Sequence, residues 1–270
     1  MDFHKLQKIL QDNNLPPIKR LGQNFLYKEK ILKKIVDSAD IEKGENVIEI
    51  GPGVGSLTEE LNKTGAKIKA IEKDERLIAY LMKTFPEIEL TLDDALQFIP
   101  PKEEYKVVAN IPYYITSPLI NHFLLEQFST GGTPPKLMVI LTQKEVAEKI
   151  CAPVNKHSLI SFNVNTFGKP EIVSEVSKKY FYPVPKVESA ILKITVFDKP
   201  VVSCNLKNYF RLLNFTFHQR RKTISNSLAA GLHKKSPEIA EILEKNGINP
   251  KVRPQELMPK DFEKLTNIFY

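Results

Sequence analysis

At 270 residues and 42% hydrophobic content, the chain can bury a core for one large domain, or for one with a smaller companion. A net charge of +7 points towards a polyanionic partner, and two cysteines, Cys151 and Cys204, are too few for a disulfide framework or a thiolate metal cluster. No run approaches the roughly 18 apolar residues of a membrane span, and Met1 to Gln11 carries charges where a signal peptide would have its apolar centre. The cytosol, with reduced thiols, is the expected setting.

Residues 1–20 read as a short helix followed by an extended basic segment, Leu15-Pro16-Pro17-Ile18-Lys19-Arg20. Leu21 to Leu26 reads as a polar turn with one aromatic. Residues 28–39 form an amphipathic helix with Ile31, Leu32, Ile35 and Val36 on one face. Asn46 to Ile50 is a strand that runs into Gly51-Pro52-Gly53-Val54-Gly55, followed by a helix through Leu61. Glycines there permit a tight turn and let a ligand approach bare backbone. Their GxGxG spacing differs from the GxGxxG of dinucleotide folds. A second strand, Lys67 to Ile71, ends on Glu72, 21 residues after Gly51. That is close to the roughly 20 expected of an acid that binds ribose hydroxyls in a strand–loop–helix–strand unit. A third strand, Ile88 to Leu92, leads to Asp93-Asp94-Ala95. Its carboxylate suits either an adenine amino group or the cap of a short helix.

The fourth strand, from Tyr105, delivers Asn110-Ile111-Pro112-Tyr113 to its carboxyl end, the edge where open α/β sheets bind ligands. An amide oxygen and a backbone carbonyl can each accept a hydrogen from an exocyclic amino group. The Tyr ring can stack on the flat base that carries it. Taken alone, the four residues equally describe a strand that ends in a Pro turn. Thr116-Ser117-Pro118 opens a helix, with Ser117 expected as cap. Lys136 to Leu141 is a fifth, fully apolar strand, with Gln143-Lys144-Glu145 after it and a helix through Ile150. Strands near Ile172–Ser177 and Ser189–Phe197 flank Tyr180 to Pro185. Five strand–helix units and two further strands predict a mostly parallel seven-stranded sheet with an antiparallel edge. After Pro200 the chain turns helical: an aromatic segment, Leu206 to Phe217, then His218, expected to be part-buried, and the basic run Arg220-Arg221-Lys222. Helices over Ser236 to about Gly247 and Pro259 to Phe269 follow. The domain boundary is placed near residue 200.

These motifs resemble, as an ordered set over residues 18–230, the small-subunit rRNA adenine dimethyltransferases, the kasugamycin-sensitivity family. The stretches that carry the resemblance are Gly22-Gln23-Asn24-Phe25-Leu26, Glu49 to Gly55, Ile71-Glu72, Asp94-Ala95, Asn110 to Tyr113, Gln143 to Ala147, Phe181 with Pro183 to Val187, and Gln219 to Thr223. The resemblance implies a Rossmann-like S-adenosylmethionine methyltransferase domain over residues 1–200 and a helical rRNA-binding domain over residues 201–270. It places Gln23, Asn24, Leu26, Glu49, Gly51, Gly53, Gly55, Glu72, Lys73, Asp94, Ala95 and Asn110 around the cofactor. Within that set, Glu72 holds the ribose and Asp94 the adenine amino group. It gives catalysis to Asn110, Ile111, Pro112 and Tyr113, with Phe181 facing Tyr113 across a flipped adenine. Asp93 departs from the pattern, because the family has Gly there; a side chain and a charge are added beside the adenine pocket. No metal is implied.

The implied reaction transfers methyl groups to N6 of two adjacent adenosines in a hairpin near the 3′ end of small-subunit rRNA. The implied enzyme is a cytoplasmic monomer that acts on an assembling subunit. Lys19, Arg20, Arg220, Arg221 and Lys222 are the candidate phosphate contacts. Three alternatives stay open: a macrolide-resistance methyltransferase acting on large-subunit rRNA, a non-catalytic nucleic-acid-binding factor on the same scaffold, and a small-molecule methyltransferase.

Overall fold

In the computed structural model, which describes residues 1–270, the longest apolar runs become the centre of one sheet. In chain order the strands are β1 (Phe25–Leu26), β2 (Asn46–Ile50), β3 (Lys67–Glu72), β4 (Glu89–Leu92), β5 (Lys106–Asn110), β6 (Leu137–Gln143), β7 (Gly168–Val176), β8 (Phe181–Tyr182) and β9 (Ser189–Val196). The helices of the first half are α1 (Phe3–Asp12), α2 (Glu29–Ser38), α3 (Ser56–Asn62), α4 (Glu75–Thr84), α5 (Thr116–Asn121) and α6 (Gln127–Thr130). Those of the second are α7 (Lys144–Ile150), α8 (Leu159–Phe167), α9 (Leu206–His218), α10 (Ile224–Leu232), α11 (Ser236–Lys245) and α12 (Pro259–Phe269).

Seven strands lie in the order β4-β3-β2-β5-β6-β9-β7, parallel from β4 to β6, with β9 antiparallel to β6. This is the mostly parallel, seven-stranded sheet with an antiparallel edge that the apolar runs predict. Val107 to Ala109 and Met138 to Leu141 have no exposed surface, as strands covered on both faces require. From β2 the chain builds outward through β3 and β4. It then returns to lay β5 and β6 on the other side of β2. The order therefore reverses between β2 and β5, and their carboxyl ends part around a crevice.

Two compact units divide the chain: residues 1–148 with 169–198, and residues 149–168 with 199–270. The first holds the sheet. One face of β2 and β3 packs with α2 and α3 through Leu32, Ile35, Leu57 and Leu61. A second cluster joins Leu6 and Leu10 of α1 to Leu77 and Leu81 of α4. The second unit is helical and centres on aromatic rings. Phe162 lies 5.3 Å from Phe217 and 5.0 Å from Phe262 between ring centroids.

Four features differ from the sequence reading. Phe25–Leu26 is not a turn. It is a short strand paired antiparallel with Phe181–Tyr182, held by partners 155 or more residues away. Helices α8 and α10 carry too many Ser, Asn and Thr residues to stand out by periodicity. Ser117 is not the cap of α5, which begins at Thr116 after Ile115 without a side-chain cap. His218 is exposed at the end of α9 rather than part-buried.

Candidate active site

The crevice at the sheet reversal is a cleft of about 260 Å³. Four loops at strand carboxyl ends line it, and the segment around β1 lies against them. Gln23, Asn24, Leu26, Gly51, Gly53, Glu72, Lys73, Asp94, Ala95, Asn110, Ile111, Pro112, Tyr113 and Phe181 all border this one cavity. Glu49 and Gly55 do not. Gly55 caps α3, and Glu49 points into the core beneath the loop, with no exposed surface.

The loop after β2 is held by its neighbours. Gly51 N–H donates to Ile71 O at 2.9 Å. Gly53 has φ +61, and a Cβ there would lie 3.1 Å from Phe25 Cε1, so the position is closed to a side chain on the side of the flap, the segment of residues 18–26 around β1. Glu72 is buried and receives three backbone N–H groups: Gly53 at 3.1 Å, Lys73 at 2.8 Å and Asp74 at 2.9 Å. Burial pushes its pKa up, and those N–H bonds work against the rise. The bonds aim the carboxylate and leave acceptor capacity on Oε2, which takes only Gly53 N–H.

Asp94 accepts from Lys73 Nζ at 2.6 Å and from Leu96 N–H at 3.1 Å. The lysine holds its carboxyl below the usual range. Asp93 Oδ1 accepts Asp94 N–H at 2.7 Å, so its side chain braces this loop. Gln23 uses both ends of its amide within the protein. Nε2 donates to Asp74 Oδ2 at 2.8 Å, and Oε1 accepts Ile18 N–H at 2.8 Å. Arg76 holds the same aspartate at 2.7 Å. Gln23 therefore clasps the flap to the end of β3. Asn24 Nδ2 donates to Gly22 O at 3.0 Å.

Asn110 ends β5, and its turn carries Ile111 to Tyr113 across the cleft mouth. Gly22, at φ +65, would place a Cβ 2.9 Å from Pro112 Cβ and 3.2 Å from the Tyr114 ring. Flap and turn meet there with room only for glycine. Tyr113 is half-buried, and its hydroxyl lies 2.6 Å from Ser189 Oγ. Burial raises the phenol's pKa and the Ser189 bond offsets part of the rise. Phe181 borders the cleft with 2% of its surface exposed, its ring mostly in the core with Leu26. Tyr114, 63% exposed, and Phe25 also line the cavity. The sequence reading missed Tyr114, although its place beside Tyr113 was a signal. Lys19 and Arg20 are exposed in a 3-10 turn of the first unit. Arg220, Arg221 and Lys222 are exposed between α9 and α10 of the second, where Lys222 N–H closes a turn onto Gln219 O at 2.8 Å.

Residues 18–270 match the ribosomal RNA adenine dimethylase family. A ribosomal RNA small subunit methyltransferase A of Dehalococcoides mccartyi is 37% identical over 96% of this chain and 90% of its own length. One from Clostridium botulinum is 38% identical over 93% and 94%. Among solved structures, a dimethyladenosine transferase from Plasmodium falciparum superposes with a TM-score of 0.76 at 29% identity, covering 89% of this chain and 95% of its own. The 23S rRNA methyltransferase ErmE gives 0.70 at 27% identity, covering 91% and 99%.

Proposed function

The chain belongs to the ribosomal RNA adenine dimethylase family, and from that premise we propose that the cleft bordered by Asn110 to Tyr113 is its active site. The protein is an S-adenosylmethionine-dependent rRNA adenine N6,N6-dimethyltransferase. One observation carries the site assignment. The Asn110 turn and the glycine loop face one cavity at the reversal between β2 and β5.

The cavity's residues fit the cofactor. Bare backbone at Gly51 and Gly53 would lie against it, Glu72 would take ribose hydroxyls on its spare acceptor capacity, and Asp94 the adenine amino group. Lys73, Ala95, Leu26, Gln23 and Asn24 would close the remaining sides, and Glu49 would support the loop from the core. When bound, the cofactor supplies a methyl group made electrophilic by a positively charged sulfur.

The chain's own residues make the target amine reactive. An adenine N6 lone pair is delocalised into the ring and is a weak nucleophile. Asn110 Oδ1 and the carbonyl of Ile111 or Pro112 would accept its two N–H groups, drawing the nitrogen towards tetrahedral geometry and freeing the lone pair. Fixed dipoles and positioning do this work. No strong base is needed, because the methylated ammonium is acidic and releases its proton to water. Tyr113 and the edge of Phe181 would hold the flipped base, each offsetting roughly 1–3 kcal/mol of the unstacking cost.

The proposed substrate is a pair of adjacent adenosines in a hairpin near the 3′ end of small-subunit rRNA, within an assembling subunit in the cytoplasm, bound by a monomer. The similarity to relatives named ribosomal RNA small subunit methyltransferase A, 37% identical over 96% of this chain, supports this choice. In the helical region beyond residue 200, Arg220, Arg221 and Lys222 would meet RNA phosphates, as would Lys19 and Arg20 on the flap. Incubating the protein and labelled cofactor with undermethylated small subunits and, separately, with large subunits tests the reading. Label is expected in small-subunit adenines; label confined to the large subunit would replace it with the macrolide-resistance reading.

A further inference from the structure

Two hydroxyl–hydroxyl bonds, one buried and one part-buried, fasten the Asn110 turn and the start of α5 to the sheet. Thr116 Oγ1 and Thr142 Oγ1 are 2.9 Å apart, each at most 1% exposed. The Tyr113 hydroxyl and Ser189 Oγ are 2.6 Å apart. Ser189 opens β9, has no exposed surface, and sits opposite Gln143, the last residue of β6. A serine hydroxyl so enclosed needs a partner, and its partner is the tip of a ring that lines the cleft. A tyrosine anchored only at Cβ rocks about a broad χ2 well. A bond at its far end fixes the ring plane.

We propose that Ser189 is a positioning residue that sets the plane of Tyr113, and that this setting serves mainly the second methyl transfer. The inference rests on reading Tyr113 as a wall of the target-base site. Each transfer consumes one N–H of the amine: the nitrogen lone pair forms the bond to the methyl carbon, sulfur keeps the pair of the bond that breaks, and the N–H proton leaves to water. The first transfer begins with two N–H tethers, one to Asn110 Oδ1 and one to a backbone carbonyl. The second begins with one. With a tether gone, the orientation of the base depends more on the aromatic wall. A wall free to rock slows the second transfer more than the first.

The experiment is methylation of undermethylated small subunits by wild type, Tyr113→Phe, Ser189→Ala and the double variant. Monomethyl- and dimethyladenosine are read separately by mass spectrometry at matched methyl incorporation. Each single variant is expected to accumulate the monomethyl product, with the second transfer slowed about five- to tenfold and the first by less than about threefold. The double variant should be no worse than either single one, because both remove the same bond. A purely structural role would lower the amount of active enzyme and leave the product ratio alone. A wild-type ratio in Tyr113→Phe, or additive losses in the double variant, overturns the inference. Tyr113→Phe decides the matter even if Ser189→Ala does not fold, because it keeps the ring. Tyr113→Ala separates the two levels. If it leaves both transfers intact, the base-wall reading itself fails. If it abolishes them while Tyr113→Phe behaves as wild type, only the role of Ser189 fails.

Discussion

Glu49 lies in the middle of the sheet with no exposed surface, and neither carboxylate oxygen has a hydrogen-bond partner. Burial pushes its pKa up to about 8; the nearby Thr58 hydroxyl works against the rise without reversing it, and the Glu72 charge adds to it. The folded protein therefore holds a proton that the unfolded chain gives up near the ordinary value of 4.5. For a raised carboxyl, the stability is fully present below the unfolded pKa and is lost as pH rises through the folded one. Between those values the loss is about 1.4 kcal/mol per pH unit, or about 5 kcal/mol over the whole range. From about pH 6 to about pH 8 the loss is about 2 kcal/mol, a visible fraction of a typical stability. Glu49→Gln keeps the shape and removes the proton equilibrium. Urea unfolding of both proteins, followed by circular dichroism across this window, isolates the effect, because all other titrations cancel in the difference. The wild type should lose about 2 kcal/mol relative to the variant between the two ends. A difference that stays flat with pH would refute the reasoning and mean that Glu49 is ionised or hydrated in the folded state.

Asn110→Ala should cut turnover by about a hundredfold or more while cofactor affinity, measured by calorimetry, stays within several-fold; unchanged turnover would reject the amine contact. Glu72→Ala removes the aimed acceptor and the brace on Gly53, and should weaken cofactor binding about 10- to 100-fold. An unaltered constant would dismiss the ribose role. Arg221→Ala should lower affinity for small-subunit RNA and reduce the log–log salt slope by about one unit. An identical slope would remove Arg221 from the phosphate contacts.

The sheet was legible because its strands are apolar runs separated by turn residues, and Val107 to Ala109 or Met138 to Leu141 admit no other reading in a chain of alternating elements. The last helix, Pro259 to Phe269, was legible from its proline start and its spacing. The cleft was legible because most of its chemistry lies at strand ends. What escaped depends on contacts between distant residues. Phe25–Leu26 becomes a strand only because Phe181–Tyr182 pairs with it. Gln23 looks like a free polar side chain until Asp74, 51 residues on, takes its amide. Ser117 has every local mark of a cap, yet the adjacent Thr116 reaches into the sheet to Thr142 and starts the helix there. Glu49 reads as a strand carboxylate beside a ligand loop, and only the packed core shows that it is sealed beneath it.

The pairing of β1 with β8 also sets an order of events as the chain emerges during synthesis. Its two halves, Phe25–Leu26 and Phe181–Tyr182, are made far apart in time, and five parallel strands can associate in the interval. A nascent chain stopped short of residue 181 would carry its glycine loop, its Asn110 turn and the Gln23–Asp74 clasp, but Phe25–Leu26 would lack its strand partner and the cleft would lack Phe181. The cleft proposed to hold the methyl donor is thus completed late, when two thirds of the polypeptide is already out.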